Sequence, residues 1–421
     1  MSKPELKPTP KTDTRKTDQR FDIAVVGAGI VGKACALGLA QLGYSVAQIS
    51  PDLEKTISLS AQFGQRIYAI SPGSREFLDG LQIWSALNHQ RIQTVRDMRI
   101  FGDQNQNKEQ LHFSAFEVGK PELAWICEAD LIEQTLDQAC RFNKNRTPLS
   151  NSVNAIHIHP QEALLDLDNQ KTISAQMVIA ADGANSPLRS AVGIHATEES
   201  YEQKAVVANF ICTTPHLETA YQWFLPQGDI LAMLPLPNQE VSMVWSCSAE
   251  HADQMLQMAD TEWEDHFEER ANGAVKNTLG SIQLNSKPAS FILKKLQAQR
   301  LIGPAFDPKV ILLGDAAHVI HPLAGQGLNL GLRDVATLLK VIGSKEAFRK
   351  INDPLLLRRY ERQRQGDTNA LIWVTDRLKK LFGSNQSIEK NLRHWGLGFV
   401  NRSHFIKRQL IKQALGENHL G

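Results

Sequence analysis

A strand, a glycine-rich turn and a helix follow one another near the start of the 421-residue chain, and this run constrains the fold most. The stretch FDIAVVGAGIVGKACALGLAQLGYSVAQIS predicts a strand at 21–26, a helix at 30–42 and a second strand at 45–50. The turn reads Gly27-Ala28-Gly29-Ile30-Val31-Gly32. In such a unit the first glycine permits a tight turn, the second lets a pyrophosphate approach the backbone, and the third allows close packing of helix on strand. Because a helix N-terminus carries unpaired N–H groups, the turn predicts a dinucleotide site.

The second strand of this unit ends differently from the usual pattern. An acidic residue commonly stands there and holds the ribose hydroxyls. Here Ser50 ends the strand and Asp52 follows two places later. Either Asp52 reaches back to the ribose or the Ser50 hydroxyl makes a weaker hydrogen bond, so both are candidates for the adenosine end of the ligand.

Two later segments repeat the design of an apolar strand that runs into a glycine-containing turn. They read VIAADGANSPLR (178–189) and VILLGDAAHVIHPLAGQGLNLG (310–331). Ligands of open α/β sheets lie beyond the carboxyl ends of the strands. Three such turns therefore predict one long ligand that is contacted at several points.

The third turn indicates which ligand this is. Asp315 is placed to accept hydrogen bonds from ribityl or ribose hydroxyls, and Pro322 fixes the backbone before the turn. Gly325 and Gly327 carry no side chains, so a flat ring system fits against the peptide. A reduced flavin is negative near N1 and C2=O, and the start of the following helix would stabilise it by about 0.3–2 kcal/mol. The turn thus predicts an isoalloxazine ring, and with the dinucleotide site it predicts FAD.

The middle of the chain has another pattern. Four strand-like runs with short connections occupy 204–247, which predicts an antiparallel sheet, while 250–285 and the chain from 352 onward read as helical. We therefore predict an α/β fold with a Rossmann-like FAD-binding domain, an interleaved antiparallel-sheet substrate domain and C-terminal helices. The predicted parts are a disordered tail (1–20), the FAD-binding domain (21–65, 100–193 and 300–345), the substrate domain (66–99 and 194–299) and a C-terminal helical region (346–421).

Composition excludes several classes of function. A formal net charge of +1 gives no general attraction to nucleic acid. Five scattered cysteines without a CxxC pair argue against a disulfide framework and a zinc site, and fit a reducing cytoplasm. No run of about 18 apolar residues is present, which predicts no membrane span. His157 with His159, and His318 with His321, are spaced like metal ligands but lack a cysteine or carboxylate cluster, so we predict no metal.

The three turns together resemble the fingerprints of group A flavoprotein aromatic hydroxylases. Within this group the chain resembles the ubiquinone-biosynthesis hydroxylase family, and the resemblance extends from residue 21 to the C-terminus. The stretches that carry it are HPLAGQGLNLGLRD (321–334), ILAMLPLPNQEVSMVWS (230–246), RIYAISPGSREFLDGLQIW (66–84) and TDRLKKLFGSN (375–385).

The resemblance implies a para-hydroxybenzoate-hydroxylase-like fold, FAD as cofactor and NAD(P)H as electron donor. It implies that reduced FAD takes up O2 and that the resulting C4a-hydroperoxide hydroxylates an electron-rich phenol, here a polyprenylphenol intermediate of ubiquinone synthesis. Two alternatives stay open: a soluble phenol or other aromatic as substrate, and a non-catalytic flavoprotein that acts as an assembly partner in a biosynthetic complex.

The cofactor residues follow from the turns and the resemblance. They are Gly27, Gly29, Ile30, Gly32, Ser50, Asp52, Arg66, Asp182, Arg189, Asp315, Pro322, Gly325, Gln326, Gly327, Leu328 and Asn329. The resemblance places Arg66 near the flavin ring or ribityl chain, and links Asp182 and Arg189 to both FAD and the reduced pyridine nucleotide. Two departures predict weaker FAD binding: Ser50 stands where the family has glutamate, and Ala129 stands where a polar residue, often Asn, is expected.

The chemistry needs no catalytic triad, because the protein has only to position the ring, exclude water and tune charge. His321 and Pro322, next to the flavin loop, are the candidate catalytic residues. His321 would assist deprotonation of the phenol, and a hydrogen-bonded structural histidine is the alternative interpretation.

The segment 390–412 contains six Lys/Arg and no Asp/Glu, interleaved with Trp, Phe, Leu and Ile. This composition is typical of a helix that lies on an anionic membrane surface, and equally of a helix that packs on the core with a basic outer face. A cytoplasmic enzyme attached to the inner face of the membrane would have access to a polyprenylated substrate.

Overall fold

The computed structural model of the chain describes residues 17–53, 55, 57–102, 109–225, 228–320 and 326–383. Its strands are β1 (Gln19–Val26), β2 (Val46–Ile49), β3 (Ile67–Ile70), β4 (Gln93–Val95), β5 (Asp97–Phe101), β6 (Glu109–Ser114), β7 (Ala124–Glu128), β8 (Arg146–Leu149), β9 (Val153–Ile158), β10 (Ala163–Leu167), β11 (Thr172–Ala180), β12 (Ala196–Cys212), β13 (Thr219–Phe224), β14 (Ile230–Leu236), β15 (Glu240–Ser248), β16 (Ile282–Leu284), β17 (Ala289–Ala298), β18 (Ile302–Gly303), β19 (Val310–Leu312) and β20 (His318–Val319). Its α-helices are α1 (Ile30–Gln41), α2 (Pro72–Gly80), α3 (Ala129–Phe142), α4 (Pro187–Ala191), α5 (Ala249–Met255), α6 (Trp263–Ala271), α7 (Ala274–Leu279), α8 (Gln326–Gly343) and α9 (Pro354–Gly383).

The first sheet is parallel along the path β19-β11-β1-β2-β8. The strand β18 and the hairpin β9–β10 extend it in antiparallel fashion. Its central strands are almost wholly apolar and buried, as expected where helices cover both faces of a parallel sheet. The predicted βαβ unit is confirmed: β1, α1 and β2 match the predicted elements to within two residues. The predicted α/β class is likewise confirmed.

The second sheet has nine strands in the order β20-β17-β12-β15-β14-β13-β5-β6, with β16 added to β12. The four strands β12 to β15 are the antiparallel runs predicted at 204–247. One face of this sheet carries α5, α6 and α7 over an aromatic core. Met233, Met243 and Trp245 all lie in that core and are fully buried, so the Met and Trp stripe of the sequence is core packing.

A third, small sheet in the order β3-β7-β4 lies between the other two, because its residues pack against both. The predicted domain boundary at residue 100 falls inside β5. Since β5 pairs in parallel with β13 and antiparallel with β6, residues 97–114 belong to the nine-stranded sheet, although the sequence assigned those beyond 99 to the FAD-binding part. The remaining domain boundaries stay a prediction.

The C-terminal helical pattern predicted from residue 352 appears as α9. Among the helices in the described ranges, none is both long and apolar enough to cross a bilayer. The basic segment 390–412 lies outside the described residues, as do residues 1–16 of the predicted tail.

A chain of acid and imidazoles ties the helical cover to the nine-stranded sheet. Asp229 Oδ2 accepts from Trp245 Nε1 at 3.1 Å and lies 2.8 Å from His251 Nδ1, while His251 Nε2 lies 2.9 Å from His266 Nε2. Only one proton fits between the two Nε2 atoms. Burial and the adjacent His251 lower the pKa of His266 to about 4.

This pair predicts a specific pH dependence of stability. In the unfolded chain a histidine has a pKa of about 6.5, so the unfolded state binds more protons than the folded state between that pH and 4. The contribution of His266 is complete above about pH 6.5 and is lost as the pH falls toward 4. Because the ring is partly exposed and solvent screens it, we expect roughly 1–2 kcal/mol. Urea unfolding of wild type and His266→Gln from pH 7.5 to 4.5 measures it, since other titrating groups cancel in the difference. Parallel curves would contradict the assignment.

Candidate functional site

The three glycine-containing turns meet at one edge of the parallel sheet. They follow β1, β11 and β19, which are adjacent strands with the same direction. Backbone hydrogen bonds continue past the strand ends, from Ala181 N to Val26 O at 2.8 Å and from Leu313 N to Ala180 O at 3.0 Å. Segments that are far apart in the sequence thus form a single site.

The glycines of the first turn have two different reasons to lack a side chain. Gly27 has φ +134°, and a Cβ there would lie 2.1 Å from Ala181 O. At Gly32 a Cβ would lie 2.6 Å from Gly27 O, so both positions are required by the packing of the chain itself. A Cβ at the exposed Gly29 would meet no atom within 4 Å. Only Gly29 therefore faces open space at the start of α1, where the sequence predicts the pyrophosphate; Ile30 behind it is buried.

The end of β2 is held by side chains that the sequence did not single out. Buried Gln48 donates from Nε2 to Gly27 O at 3.1 Å and accepts from Arg146 Nε at 2.8 Å. Ser50 is half-buried, and its Oγ accepts a long hydrogen bond of 3.4 Å from Asp52 N. The Asp52 side chain is exposed. Both candidates for the ribose thus stand at the predicted edge, and their roles stay a prediction.

The second turn carries an acceptor without a donor. Asp182 Oδ2 accepts from Leu188 N at 3.2 Å, whereas its buried Oδ1 has no hydrogen-bond partner among the described residues. Burial raises the pKa of Asp182 above its usual range. A buried acceptor without a donor is costly, so this atom fits a hydroxyl donor of a bound ligand.

Arg189 is buried and joins the second turn to the third. Its guanidinium donates from Nη1 to Ala316 O and from Nη2 to Ala184 O, both at 2.9 Å. Burial lowers the pKa of Arg189, and the negative charges of Asp182 and Glu198 oppose that effect. The structure thus shows a residue that fixes the relative position of two ligand-facing turns.

Asp315 stands at the beginning of the third turn. Its side chain is accessible to solvent, yet protein surrounds it closely enough that desolvation raises its pKa. His318, Arg66 and Lys294 lie near enough to oppose this rise with their positive charge. The sequence-predicted pair Arg66 and Asp315 is therefore brought to one cleft. Arg66 also donates to Tyr68 Oη at 2.9 Å.

The helix predicted behind the flavin loop begins at Gln326 in the described part of the chain. A Cβ at Gly327 would meet no atom within 4 Å, which leaves this face of the helix open. Leu328 and Asn329 are buried, and the Asn329 amide donates to Ala69 O at 2.7 Å while it accepts from Ser71 N at 2.9 Å. His321, Pro322 and Gly325 lie outside the described residues, so their predicted roles stay predictions.

A buried ionic junction that sequence reasoning missed supports the third turn from behind. Asp334 of α8 accepts from Gly314 N at 2.9 Å and from Arg364 Nε of α9 at 2.7 Å, and it lies 2.8 Å from His318 Nε2. Burial raises the pKa of Asp334, but His318 and Arg364 together outweigh it and hold the pKa below its usual value. The Asp of GLRD and the His of GDAAH were visible in the sequence; Arg364 had no signal of its own.

A second missed network supports the neighbourhood of Arg66. The buried carboxylate of Glu128 accepts from Gly64 N at 2.6 Å and from Arg91 Nε at 2.6 Å. Ala129 begins α3, is fully buried and donates its N–H to Arg66 O at 2.8 Å. The departure noted at Ala129 is thus a packing position whose backbone holds Arg66.

The histidine pairs have carboxylate partners. His157 Nε2 lies 2.9 Å from Asp166 Oδ2, and His318 Nε2 pairs with Asp334 as described. Within the described ranges no group of three or more His, Cys, Asp or Glu residues is arranged to hold a metal ion.

Comparison with known proteins now adds to this geometry. Residues 20–372 match the family model described as "FAD binding domain". The chain is 33% identical to 3-demethoxyubiquinol 3-hydroxylase of Escherichia coli over 95% of its own length and 100% of that protein's. It is 29% identical to human ubiquinone biosynthesis monooxygenase COQ6, over 94% and 93% of the two chains. The chain belongs to the FAD-dependent hydroxylases of ubiquinone biosynthesis. Solved structures share the fold at lower identity: HpxO of Klebsiella pneumoniae complexed with FAD has 16% identity and a TM-score of 0.72, with 96% of this chain and 100% of that chain covered.

Family membership makes FAD the cofactor, and NAD(P)H is the donor typical of the family. The residues of the site fit the group: Gly29 and Gly327 leave open backbone at two helix starts, and Asp182 and Asp315 offer acceptors between them. Bound FAD supplies the redox chemistry with O2. The chain positions it, holds positive helix ends toward it and keeps the surrounding turns rigid through Arg189 and Asp334.

The role of Asp315 can be tested directly. Asp315→Asn keeps the shape but removes the charge, and loss of one charge-assisted hydrogen bond is expected to weaken FAD binding by roughly 10-fold or more. Titration of apoprotein with FAD, followed by flavin fluorescence, measures the Kd. Asp260→Asn, at an exposed position in the helical cover of the second sheet, is the matched control and should leave the Kd unchanged. An unchanged Kd for Asp315→Asn would contradict the assignment.

Proposed function

We propose that the chain is a monooxygenase that uses FAD, NAD(P)H and O2 to hydroxylate the aromatic ring of a polyprenylphenol intermediate in ubiquinone biosynthesis. The observation that carries the proposal is the meeting of three ligand-facing turns beside a broad sheet, in a chain aligned end to end with a 3-demethoxyubiquinol 3-hydroxylase. The relative's printed name supplies the substrate class, and the turns supply the means to hold FAD.

In this proposal the protein's own work is positional. The turns after β1, β11 and β19 hold the dinucleotide, and the start of α8 points its positive end toward the ring system. The sheet face opposite the aromatic core would receive the phenol. His321, with Pro322 beside it, is the proposed aid to phenol deprotonation.

The decisive experiment measures NAD(P)H oxidation by FAD-loaded protein with isotopically labelled O2. A short-chain prenylated methoxyphenol should stimulate oxidation and carry one labelled oxygen into the ring. Stimulation by unprenylated phenols alone would instead assign a soluble substrate. Saturable FAD binding without any phenol-stimulated turnover would favour the non-catalytic assembly partner. Quinone intermediates in a deletion strain would identify the step in the cell.

We further propose that residues 390–412 bring the enzyme to the cytoplasmic face of the membrane, where a polyprenylated substrate resides and where other biosynthetic proteins would assemble with it. The support is the excess of Lys and Arg interleaved with aromatic and aliphatic residues. Co-sedimentation with anionic liposomes should require this segment and should weaken with salt. Equal binding by a chain that lacks 390–421 would refute the proposal.

A further inference from the structure

The strand β13 presents different side chains to the two faces of the nine-stranded sheet. Tyr221 and Trp223 lie in the aromatic core under α5, α6 and α7. Because side chains alternate along a strand, Gln222 points to the opposite face, where its neighbour Ala220 packs against residues of the small third sheet. An amide therefore stands on the face turned away from the helical cover.

The cross-strand neighbours of Gln222 are small and apolar. In register, Gln222 lies opposite Ala232, Ala232 opposite Val244, and Val244 opposite Val207. We call Val207, Val244 and Ala232 the apolar strip. Val244 and Ala232 are only half-buried although they lie in the middle of the sheet. The strip therefore borders open space, with Gln222 at its end.

Gln222 is 7% exposed, and its side-chain amide makes no hydrogen bond to any residue that the structure describes. A buried amide without a partner costs about 1–3 kcal/mol, and native proteins keep few of them. The arrangement has a reason if a ligand supplies the missing partner.

This face of the sheet lies next to the flavin-binding helix through one intervening strand. Asn329, at the start of α8, is hydrogen-bonded to Ala69 O at 2.7 Å and to Ser71 N at 2.9 Å. Ala69 of β3 in turn packs in one cluster with Ala220, which is adjacent to Gln222 in β13. The helix that begins at the open Gly327 face, β3 and the sheet face are thus in consecutive contact.

We propose that Gln222 binds the phenolic oxygen of the substrate while the apolar strip packs against the ring, so that this one amide sets which part of the ring faces the flavin. The inference rests on the proposed function and deepens it. The ligand class is a phenol whose ring bears an oxygen substituent, and Gln222 is a substrate-binding and positioning residue. One neutral hydrogen bond predicts a loss in affinity of about 3- to 10-fold when it is removed.

The test compares FAD-loaded wild type with Gln222→Met, which keeps the length of the side chain but removes the amide. Two probes are titrated and followed through the flavin spectrum: a short-chain prenylated methoxyphenol, and the same compound without its phenolic hydroxyl. Gln222→Met should raise the Kd of the phenol about 3- to 10-fold and leave the Kd of the deoxy compound unchanged. Stability should not fall, since an unpartnered amide is replaced by an apolar group. Gln222→Leu serves as the second variant if the first does not retain FAD.

Turnover supplies an independent readout. A misplaced ring should increase the H2O2 formed per NAD(P)H oxidised, at the expense of hydroxylated product. Gln283→Met, an exposed glutamine on β16 of the same sheet, is the matched control and should behave as wild type.

The outcomes separate the two proposals. If wild type hydroxylates the phenol but Gln222→Met binds both probes as wild type does and remains coupled, the role of Gln222 is overturned and the proposed function stands. If the variant loses affinity equally for both probes, the residue shapes the cavity without contacting the oxygen, and the proposal is also overturned. If no phenol stimulates the wild type, the proposed function itself fails.

Discussion

Gly27→Ala is expected to unfold the nucleotide-binding part of the protein, whereas Gly29→Ala two residues away is expected to fold normally and lose FAD. At Gly27 the φ of +134° disfavours any side chain, and the new Cβ would lie 2.1 Å from Ala181 O between two adjacent parallel strands. Strain and overpacking together predict a loss of roughly 2–5 kcal/mol. At Gly29 the new methyl group meets no protein atom, so it occupies space reserved for the ligand.

Chemical unfolding of the apoproteins and FAD titration separate the two effects. Gly29→Ala should match the unfolding midpoint of wild type and raise the Kd for FAD at least about tenfold, since the pyrophosphate must approach this backbone closely. Gly27→Ala should yield little soluble protein or a strongly lowered midpoint. A Gly27→Ala variant as stable as wild type, or a Gly29→Ala variant with unchanged FAD affinity, would contradict the assignment of the first turn.

Asp334→Ala is expected to be the most damaging substitution away from the ligand-facing surface. It would leave the fully buried Arg364 without its main partner and remove the acceptor that holds Gly314 N and His318. Removal of one partner from a buried ion pair costs about 3–5 kcal/mol. We therefore expect a sharply lowered unfolding midpoint and weaker FAD retention, because the third turn loses its support.

A double variant tests whether charge or shape is responsible. Asp334→Leu combined with Arg364→Met removes both charges and should recover much of the stability that Asp334→Ala loses. The exposed pair Glu346 and Arg359 is the comparison, and Glu346→Gln should leave the midpoint unchanged within error. If Asp334→Ala is no worse than this control, the junction does not stabilise the turn.

The three turns could be predicted from the sequence because each is a local pattern: an apolar strand, glycines at fixed offsets and an acidic residue at the strand end. Their meeting at one sheet edge followed from a general property of parallel sheets. The antiparallel runs at 204–247 were equally visible, since short connections force neighbouring strands to pair.

What escaped prediction depends on partners distant in the sequence. The parallel pairing of β5 with β13 joins residues near 100 and 220, and no periodicity within either strand encodes it. Arg364 reads as one more charged residue on a polar helix until α9 is placed against α8. Gln222 and Gln48 occupy strands whose neighbours are apolar, and only the register and the burial of their side chains distinguish structural support from a ligand-facing group.

The adjacency of β1, β11 and β19 has a consequence for the life history of the enzyme. The strand that bears the third turn lies near residue 310, so the ribosome must complete about three quarters of the polypeptide before the neighbouring strands can close on one another. A nascent chain emerging from the exit tunnel has no finished binding place for a vitamin-derived prosthetic group. Loading with riboflavin-based cofactor is therefore post-translational, and the abundance of the mature enzyme responds to flavin supply at that late step.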